Sequence, residues 1–314
     1  MSYTYSMYRS TGFPEAAKAL DEVLPKALHV AFFLGILASI HTIVQVLKHH
    51  YPGWTELFAE KDHLPLARTP FLAQRSLSRP FRAADHVNDG KHHLLLAATG
   101  SVATIKIPNI VGALANFDNV SIIIILTESS CNFLQGQSGE QPSLAQIANM
   151  KNVDGIYRDE DEWRKPWIRG DNILHIELRR WADLMVIAPL SANGLAKMAQ
   201  GLADNLVMSV VRAWDATGML DPARPGVPFP YDGKKGIMVA PAMNTAMWHH
   251  PLTAEHMRRL SSDWAIGNGG WVEMLDPIQK EIACGDTGAG GMHEWKSIVA
   301  SIEKRLQLHP SKER

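Results

Sequence analysis

Cysteine is scarce in this chain of 314 residues, which contains only Cys131 and Cys284. Two cysteines cannot form a disulfide framework, and such a low content is typical of a reducing compartment, so we expect the cytoplasm. No Cys and His spacing of a zinc site is present. The adjacent pairs His92-His93 and His249-His250 are interpreted as solvated turn residues, since neighbours do not share a face of a helix or strand. We therefore expect no metal.

An excess of charge of either sign is also lacking. The chain has 31 Lys and Arg against 32 Asp and Glu, a formal net charge of −1. A general nucleic-acid-binding protein normally carries a basic surface, so we expect no nucleic-acid partner. The hydrophobic content of 46% is sufficient for one large core or two modest ones.

The first ninety residues lack the regular pattern found further along. Leu28 to Leu47 is an apolar-biased stretch of bilayer length, but it contains His, Ser, Thr and Gln. A peripheral amphipathic helix is the favoured interpretation, and a membrane span is the alternative. Leu64 to Asn88 has no clear periodicity and is interpreted as a mobile linker. We thus expect an N-terminal extension and linker over 1–88, partly helical, a folded domain over 89–308, and a tail over 309–314.

From His92 onward, short apolar runs alternate with helical segments. The predicted strands are Leu94–Ala98, Ser121–Thr127, Leu184–Pro189, Gly236–Ala240 and Trp271–Leu275. Helices are predicted at about 104–116, around His175, from Gly194, and at about 294–306. Alternation of this kind predicts an α/β fold, a parallel sheet with helices on both faces.

Three of these strands end in small hydroxyl or amide residues that precede a helix. The turns are Gly100-Ser101, Thr127-Glu128-Ser129-Ser130 and Ser191-Ala192-Asn193-Gly194. Free N–H groups and short hydroxyls at helix N-termini suit a phosphate, whereas N-capping uses the same residue types. The dinucleotide fingerprint G-x-G-x-x-G is missing, because only its first glycine, Gly100, is present. A mononucleotide is therefore the favoured cofactor.

The octapeptide Pro241-Ala242-Met243-Asn244-Thr245-Ala246-Met247-Trp248 follows another predicted strand. Pro241 has no N–H for a continuing strand ladder, so the strand should end there. A carboxamide, two thioethers and an indole then lie at the carboxyl end of a strand, where open α/β sheets bind ligands. A Met-rich loop that fills the core is the alternative.

Two further groups could carry chemistry. His175 and Arg179 are four residues apart and share a helix face, where they could bind a carboxylate and move protons. Cys284 lies in a glycine-rich loop that could close over a ligand, and its thiol would be accessible there. A structural helix histidine and an incidental loop cysteine are the respective alternatives. Cys131 is interpreted as a packed helix residue.

From about His92 to Leu306 the chain resembles the flavin-containing cysteine decarboxylases. The resemblance rests on the motifs Gly100-Ser101-Val102-Ala103, His175 to Asp183, Ala188 to Asn193, Pro241 to Trp248 and Ala283-Cys284-Gly285-Asp286, in the family's order. It implies a flavodoxin-like (Rossmann-type) fold that binds FMN. It also implies a trimer with each active site at a subunit interface, either a homotrimer or a mixed trimer with a paralogue.

The resemblance assigns roles by position. His175 and Cys284 match catalytic residues, Asn244 the residue that holds the substrate carboxylate, and Met247 the end of the substrate motif. Arg179 and Arg180 are expected to contribute to substrate binding. The positions that match flavin contacts are Gly100, Ser101, Val102, Thr127, Ser129, Ser191, Ala192, Asn193 and Ala242. The chain departs from the pattern at Gly194, where a hydroxyl is usual, at Glu128 and at Gly291.

The implied reaction is the decarboxylation of 4′-phosphopantothenoyl-cysteine to 4′-phosphopantetheine in coenzyme A biosynthesis. Oxidation of the substrate thiol to a thioaldehyde creates an electron sink for the loss of CO2, and Cys284 later supplies a proton. The halotolerance relatives suggest a different function, an inhibitory subunit of a protein phosphatase. The presence of His175, Asn244 and Cys284 on one chain favours the enzyme. A Cys/His hydrolase is a third alternative, without an oxyanion-hole signature.

Overall fold

The computed structural model describes residues 80–281 and 287–310, and at its centre lies one parallel sheet. Its strands are β1 (His92–Ala98), β2 (Val120–Leu126), β3 (Val153–Arg158), β4 (Leu184–Leu190), β5 (Gly236–Pro241) and β6 (Val272–Met274). Their spatial order is β3-β2-β1-β4-β5-β6. The strand order reverses between β1 and β4, and in open sheets the crevice at that point binds ligands.

The central strands are buried on both faces, as their continuous apolar runs predict. β2 reads Val-Ser-Ile-Ile-Ile-Ile-Leu, and each of its residues is buried. Leu95 of β1 lies beside Ile123 of β2 on one side and Met185 of β4 on the other. Since successive side chains point to opposite faces, Leu94 and Leu96 belong to one hydrophobic core and Leu95 to a second.

Helices cover both faces of the sheet. They are α1 (Ile107–Leu114), α2 (Glu128–Cys131), α3 (Leu144–Ala148), α4 (Asp159–Glu162), α5 (Leu174–Trp181), α6 (Ala192–Gln200), α7 (Leu206–Arg212), α8 (Thr245–Trp248), α9 (Pro251–Arg258) and α10 (Trp295–Arg305). Helices α1 and α10 contribute to the core that contains Leu94, whereas α5, α6 and α7 contribute to the core that contains Leu95. The predicted fold class is confirmed.

The strand β3 was not predicted by the sequence patterns. Its six residues, Val-Asp-Gly-Ile-Tyr-Arg, include a glycine and two charged residues. β3 lies at one edge of the sheet, and only Val153 and Ile156 in it are buried. An edge strand does not need a continuous apolar run, because it has a neighbouring strand on one side only. The other five strands lie where the sequence predicted them.

A separate two-stranded unit follows β6. Its strands, β7 (Ile278–Glu281) and β8 (Thr287–Gly291), pair antiparallel. The Met243 N–H donates to the Gly290 carbonyl at 2.9 Å, which ties β8 to the segment after β5. Gly290 has a φ of +107°, and a Cβ there would lie 2.7 Å from the Met243 carbonyl oxygen. A glycine is required for this close approach.

The amino edge of the sheet carries a buried charge network. His93 is fully buried, and its N–H donates to Asp183 Oδ2 at 2.7 Å. Its Nε2 lies 2.9 Å from Asp89 Oδ2, and Arg224 Nε donates to Asp183 Oδ1 at 3.1 Å. The interpretation of His92-His93 as solvated turn residues is therefore wrong. β1 begins at His92, two residues before the apolar run, and brings both histidines into the sheet.

Residues just before β1 also pack against this domain. The Phe81 ring centroid lies 6.2 Å from that of Trp181 and 6.0 Å from that of Tyr157. The Ala83 N–H donates to Glu177 Oε2 at 2.8 Å, and a 3₁₀ turn spans Ala83–His86. The boundary expected at residue 88 thus falls inside a packed segment, and the linker interpretation is wrong for residues 81–88.

The apolar stretch Leu28 to Leu47 lies outside the described residues. Among the residues that the structure does describe, no helix combines the length and hydropathy needed to cross a bilayer.

Candidate functional site

The turns after β1 and β4 meet at the carboxyl edge of the sheet, on either side of the point where the strand order reverses. The Thr99 N–H donates to the Pro189 carbonyl at 3.0 Å, and the Ser191 N–H donates to Thr99 Oγ1 at 2.7 Å. The Thr99 hydroxyl also lies 3.0 Å from Ser191 Oγ. These bonds fix the two turns together, so that Gly100 and Ser101 lie close to the start of α6.

The turn after β2 reaches the same place. The Thr127 N–H donates to the Ala98 carbonyl at 3.2 Å, and the Thr127 and Ser129 hydroxyl oxygens are 3.1 Å apart. A Cβ at Gly100 would lie 2.4 Å from Ser129 Oγ. The backbone at Gly100 therefore passes directly beside the Ser129 hydroxyl, and a side chain there would collide with it.

Five of the polar side chains in the three turns divide into two groups. Thr127 and Ser191 are N-caps, each accepting from the N–H three residues later, at 3.4 and 3.1 Å. Ser101 makes no capping hydrogen bond, and Ser129 and Asn193 are exposed. N-capping, the alternative to phosphate binding, therefore accounts for Thr127 and Ser191. The other three stand at helix N-termini, where free N–H groups favour an anion.

The remaining residues expected at the flavin lie on the same edge. Val102 is 44% exposed and begins a 3₁₀ turn over Val102–Lys106, and Ala192 begins α6. The Ala242 N–H donates to the Leu190 carbonyl at 2.9 Å. Gly194 is one of the positions where the chain departs from the family pattern. A Cβ there would lie 2.8 Å from Thr99 Oγ1, so the Thr99 hydroxyl occupies the space that a side chain at position 194 would need.

The segment after β5 presents a side-chain amide at this edge. Asn244 is the N-cap of α8, and its Oδ1 accepts from the Met247 N–H at 2.8 Å. This bond turns Oδ1 towards the helix, which leaves Nδ2 as the outward donor of the carboxamide. Met243 is buried, whereas Met247 is 52% exposed. Filling of the core therefore accounts for Met243 but not for Met247.

His175 lies in the first turn of α5, beside a carboxylate that the sequence patterns did not single out. Its Nδ1 is 2.8 Å from Glu162 Oε1, and its backbone N–H donates to Glu162 Oε2 at 3.2 Å. The His175 side chain is 22% exposed and that of Glu162 only 5%, so the accessible group of this pair is the imidazole. The available sequence signal for Glu162 is weak, since it ends a run of four acidic residues.

Arg179, one turn after His175, is not available to a substrate carboxylate. Its Nη1 lies 2.7 Å from Asp221 Oδ1, with both side chains less than one tenth exposed. Lys235 Nζ lies 3.3 Å from the other Asp221 oxygen, and desolvation by burial lowers the pKa of Lys235. The substrate role expected for Arg179 is therefore corrected to a structural one: its guanidinium binds Asp221, its backbone carbonyl accepts from Lys235 Nζ at 3.1 Å, and both ends of the loop from Asp221 to Lys235 are thereby held in the interior.

Arg180 differs from its neighbour. More than half of its side chain, 54%, is exposed, and its Nη1 pairs with Glu177 Oε1 at 2.9 Å. Its partner Glu177 is buried, so Arg180 is the accessible member of this pair. Its substrate role stays a prediction.

His175 and Asn244 are held by elements that follow different strands. Glu162, the partner of His175, ends α4 directly after β3, whereas Asn244 follows β5. Three strands lie between β3 and β5, which at roughly 4.8 Å per strand places their axes about 19 Å apart. The carboxyl edge of one chain therefore carries these two residues at separate places.

Cys284 lies outside the described residues, between β7 and β8, and its catalytic role stays a prediction. Cys131 is half-buried at the end of α2. In the part of the chain that the structure describes, no group of three or more His, Cys, Asp or Glu is arranged to hold a metal ion.

Comparison with known proteins identifies the class. The Flavoprotein family profile matches residues 82–307, and the chain belongs to this family. Phosphopantothenoylcysteine decarboxylase from Mus musculus is 37% identical over 232 residues, which cover 74% of this chain and 96% of that protein. A Schizosaccharomyces pombe protein named "Probable thymidylate synthase" is 42% identical over 240 residues, but these make up only 33% of it. The chain thus spans about a third of that relative.

Solved structures agree with the sequence relatives. A PPC decarboxylase variant complexed with pantothenoylaminoethenethiol matches with a TM-score of 0.53 and 38% identity, over 68% of this chain and 97% of that one. The FMN binding protein AtHal3 matches with a TM-score of 0.50 and 40% identity, over 68% and 95%. The resemblance seen in the sequence motifs is confirmed: within the flavoproteins, this chain groups with the phosphopantothenoylcysteine decarboxylases and their HAL3 relatives.

Proposed function

We propose that this chain is an FMN-dependent enzyme that decarboxylates 4′-phosphopantothenoyl-cysteine to 4′-phosphopantetheine in coenzyme A biosynthesis. The observation that carries the proposal is the carboxyl edge of the sheet. The turns after β1, β2 and β4 are joined there by hydrogen bonds and close backbone contacts, and β5 delivers the Asn244 carboxamide to the same edge. Relatives of 37% and 41% identity that bear the name of this activity support the same reaction here.

FMN is the flavin that fits these turns. Its single phosphate suits N–H groups and small polar side chains at helix N-termini, and the chain lacks a dinucleotide fingerprint. The residues that would hold it are Gly100, Ser101, Val102, Thr127, Ser129, Ser191, Ala192, Asn193 and Ala242. When bound, FMN supplies reversible two-electron oxidation of the substrate thiol, which gives the electrons released by decarboxylation a place to go.

Asn244 is assigned to the substrate carboxylate. A carboxylate only accepts hydrogen bonds, and Nδ2 is the donor that Asn244 retains once Oδ1 caps α8. Because the cap fixes the carboxamide, little side-chain freedom is lost on binding. Met247, exposed three residues later, would pack against the apolar part of the substrate.

His175 is assigned to substrate positioning and proton movement, because its imidazole is the more exposed side chain of the hydrogen-bonded pair that it forms with Glu162. Cys284 is assigned to the final protonation of the product, and this assignment rests on the family resemblance alone. Arg180 is the remaining candidate for a substrate anion.

A trimer is the assembly that completes this site. One chain holds His175 and Asn244 at separate places, so a neighbouring copy would supply the second residue to each site. A homotrimer fits a chain that carries all three expected residues, His175, Asn244 and Cys284. In a mixed trimer, a paralogue would supply the second residue to the site in the same way. The low cysteine content supports a cytoplasmic location.

The purified full-length chain provides the test. It should absorb in the flavin bands, release FMN on heating, and convert 4′-phosphopantothenoyl-cysteine to CO2 and 4′-phosphopantetheine. Release of FAD, or no flavin after reconstitution with FMN, would contradict the cofactor assignment. A flavin-loaded protein that releases no CO2 but inhibits a protein phosphatase would instead establish the regulatory function.

A further inference from the structure

Among the residues that the structure describes, Glu162 makes two hydrogen bonds, and both go to His175. One carboxylate oxygen lies 2.8 Å from the ring Nδ1, and the other accepts the backbone N–H at 3.2 Å. The second bond satisfies a donor in the first turn of α5, where N–H groups have no partner within the helix. Two-point attachment fixes the ring relative to its own backbone.

The carboxylate also decides which ring nitrogen carries the proton. An ionised carboxylate only accepts hydrogen bonds, so Nδ1 must be the donor in the 2.8 Å contact. The neutral ring is then the Nδ1–H tautomer, with its lone pair on Nε2. A proton taken up at Nε2 produces an imidazolium next to a negative charge, and its release restores the neutral ring.

The other charged groups on α4 and α5 are engaged elsewhere. Glu160 pairs with Arg158, Asp161 with Arg164, Glu177 with Arg180 and Arg179 with Asp221. Asp159 accepts the backbone N–H groups of Glu128 and Leu206 at 3.1 and 2.9 Å. On these two helices, Glu162 is thus the acid that faces His175.

We infer that Glu162 is the positioning residue for His175: it holds the proton on Nδ1 and presents Nε2 as the atom that exchanges a proton with the substrate. The inference rests on the proposed function for the identity of that substrate. No other reactant is needed, because the proton moves between Nε2 and the substrate while Nδ1 keeps its own.

The test uses the full-length, flavin-loaded protein with Glu162→Gln. This substitution keeps the shape and one acceptor oxygen but removes the charge. We expect kcat to fall by about 100-fold and KM to change by less than about threefold. A fall in kcat of this size is typical of the loss of general acid–base catalysis. The second measurement is independent of activity: the position of the His175 ring proton, read from the ¹⁵N NMR chemical shifts of Nδ1 and Nε2. The neutral wild-type ring should carry its proton on Nδ1, whereas the Glu162→Gln ring should also populate the Nε2–H tautomer.

Glu160→Gln is the matched control, because Glu160 lies on the same helix and pairs with Arg158 at the surface. It should change neither kcat nor the His175 tautomer. Glu162→Asp, which keeps the charge, should keep most of the ring proton on Nδ1 and serves as the second variant if Glu162→Gln does not fold. Flavin absorbance and thermal unfolding report folding in each case.

Two results would overturn the inference: an unchanged His175 tautomer in folded Glu162→Gln protein, or equal effects of Glu160→Gln and Glu162→Gln. Failure of the proposed function has a different outcome. A wild-type protein without decarboxylase activity would refute that function, while a tautomer change in Glu162→Gln that is absent from Glu160→Gln would still establish the coupling to His175.

Discussion

Replacement of Asn244 by Asp separates the structural and the substrate-binding roles of this residue. Asn244 Oδ1 accepts from the Met247 N–H at 2.8 Å as the N-cap of α8. A carboxylate caps at least as well as a carboxamide, and its charge suits a helix N-terminus. Asn244→Asp should therefore leave the fold and flavin binding intact. The outward Nδ2, however, becomes an oxygen that repels the substrate carboxylate.

The size of the effect follows from Coulomb's law. Two like charges about 4 Å apart at an effective dielectric constant of about 20 repel by about 4 kcal/mol. The lost hydrogen bond to a charged group adds about 1.5–3 kcal/mol. At about 1.4 kcal/mol per tenfold, kcat/KM should fall by more than about 10³-fold. Asn244→Ala loses the hydrogen bond without gaining a charge, so its loss should be only about 10- to 100-fold.

The two substitutions should rank in opposite orders for activity and for stability. Activity should fall from Asn to Ala to Asp, as measured by CO2 release under single-turnover conditions. Stability should fall from Asp to Ala, because alanine removes a cap that contributes about 1 kcal/mol. Flavin content must be equal in all three proteins. If Asn244→Asp retains wild-type turnover, or if activity simply follows stability, the assignment of Asn244 to the substrate carboxylate is wrong.

Three further predictions concern other parts of the chain. Cys284→Ser should release CO2 but accumulate an oxidised enethiol, detected by mass spectrometry; full formation of reduced product would exclude Cys284 from the mechanism. A chain that starts at residue 80 should stay folded and active. One that starts at residue 89 loses the packing of the half-buried Phe81 against Trp181 and should be less stable by about 1–2 kcal/mol in urea unfolding, so equal midpoints would contradict this. Burial lowers the pKa of His93 below its ordinary value of 6.5. The contribution of His93 to the free energy of unfolding is therefore complete above pH 6.5 and is lost as the pH falls towards the pKa in the folded state. The loss is at most about 1.4 kcal/mol per pH unit. In His93→Gln, the free energy of unfolding should depend less steeply on pH over this range. An unchanged slope would show that His93 is not the cause of the pH dependence.

Local patterns in the sequence were sufficient to predict the central strands. The run of four isoleucines in β2 contains no residue suited to an exposed face, so burial on both sides was its only stable outcome. The end of β5 at Pro241 was equally determined, because proline cannot continue a strand ladder. The hydroxyl-rich turns followed from the same reasoning, since each lies directly after an apolar run.

The charged residues were decided only by the tertiary structure. Arg179 appeared free to bind a carboxylate in the helix pattern, but Asp221, 42 residues later, neutralises it in the interior. Glu162 resembled the other acids of its run until the fold brought α4 against the first turn of α5. A charged side chain takes whichever partner lies within reach, and the identity of that partner is not encoded in its neighbours in sequence.

By itself, the sequence determined the elements of the sheet and the residue types at its carboxyl edge, since both depend on short-range periodicity and backbone chemistry. The tertiary structure decided the strand order, the burial of His93 beside Asp183, and which of the turn residues cap a helix and which do not. These features join residues that are about 90 positions apart, as between Thr99 and Ser191 or between Ala83 and Glu177. Contacts at that separation form only when the whole sheet assembles, because local propensity does not specify which distant residue will lie opposite.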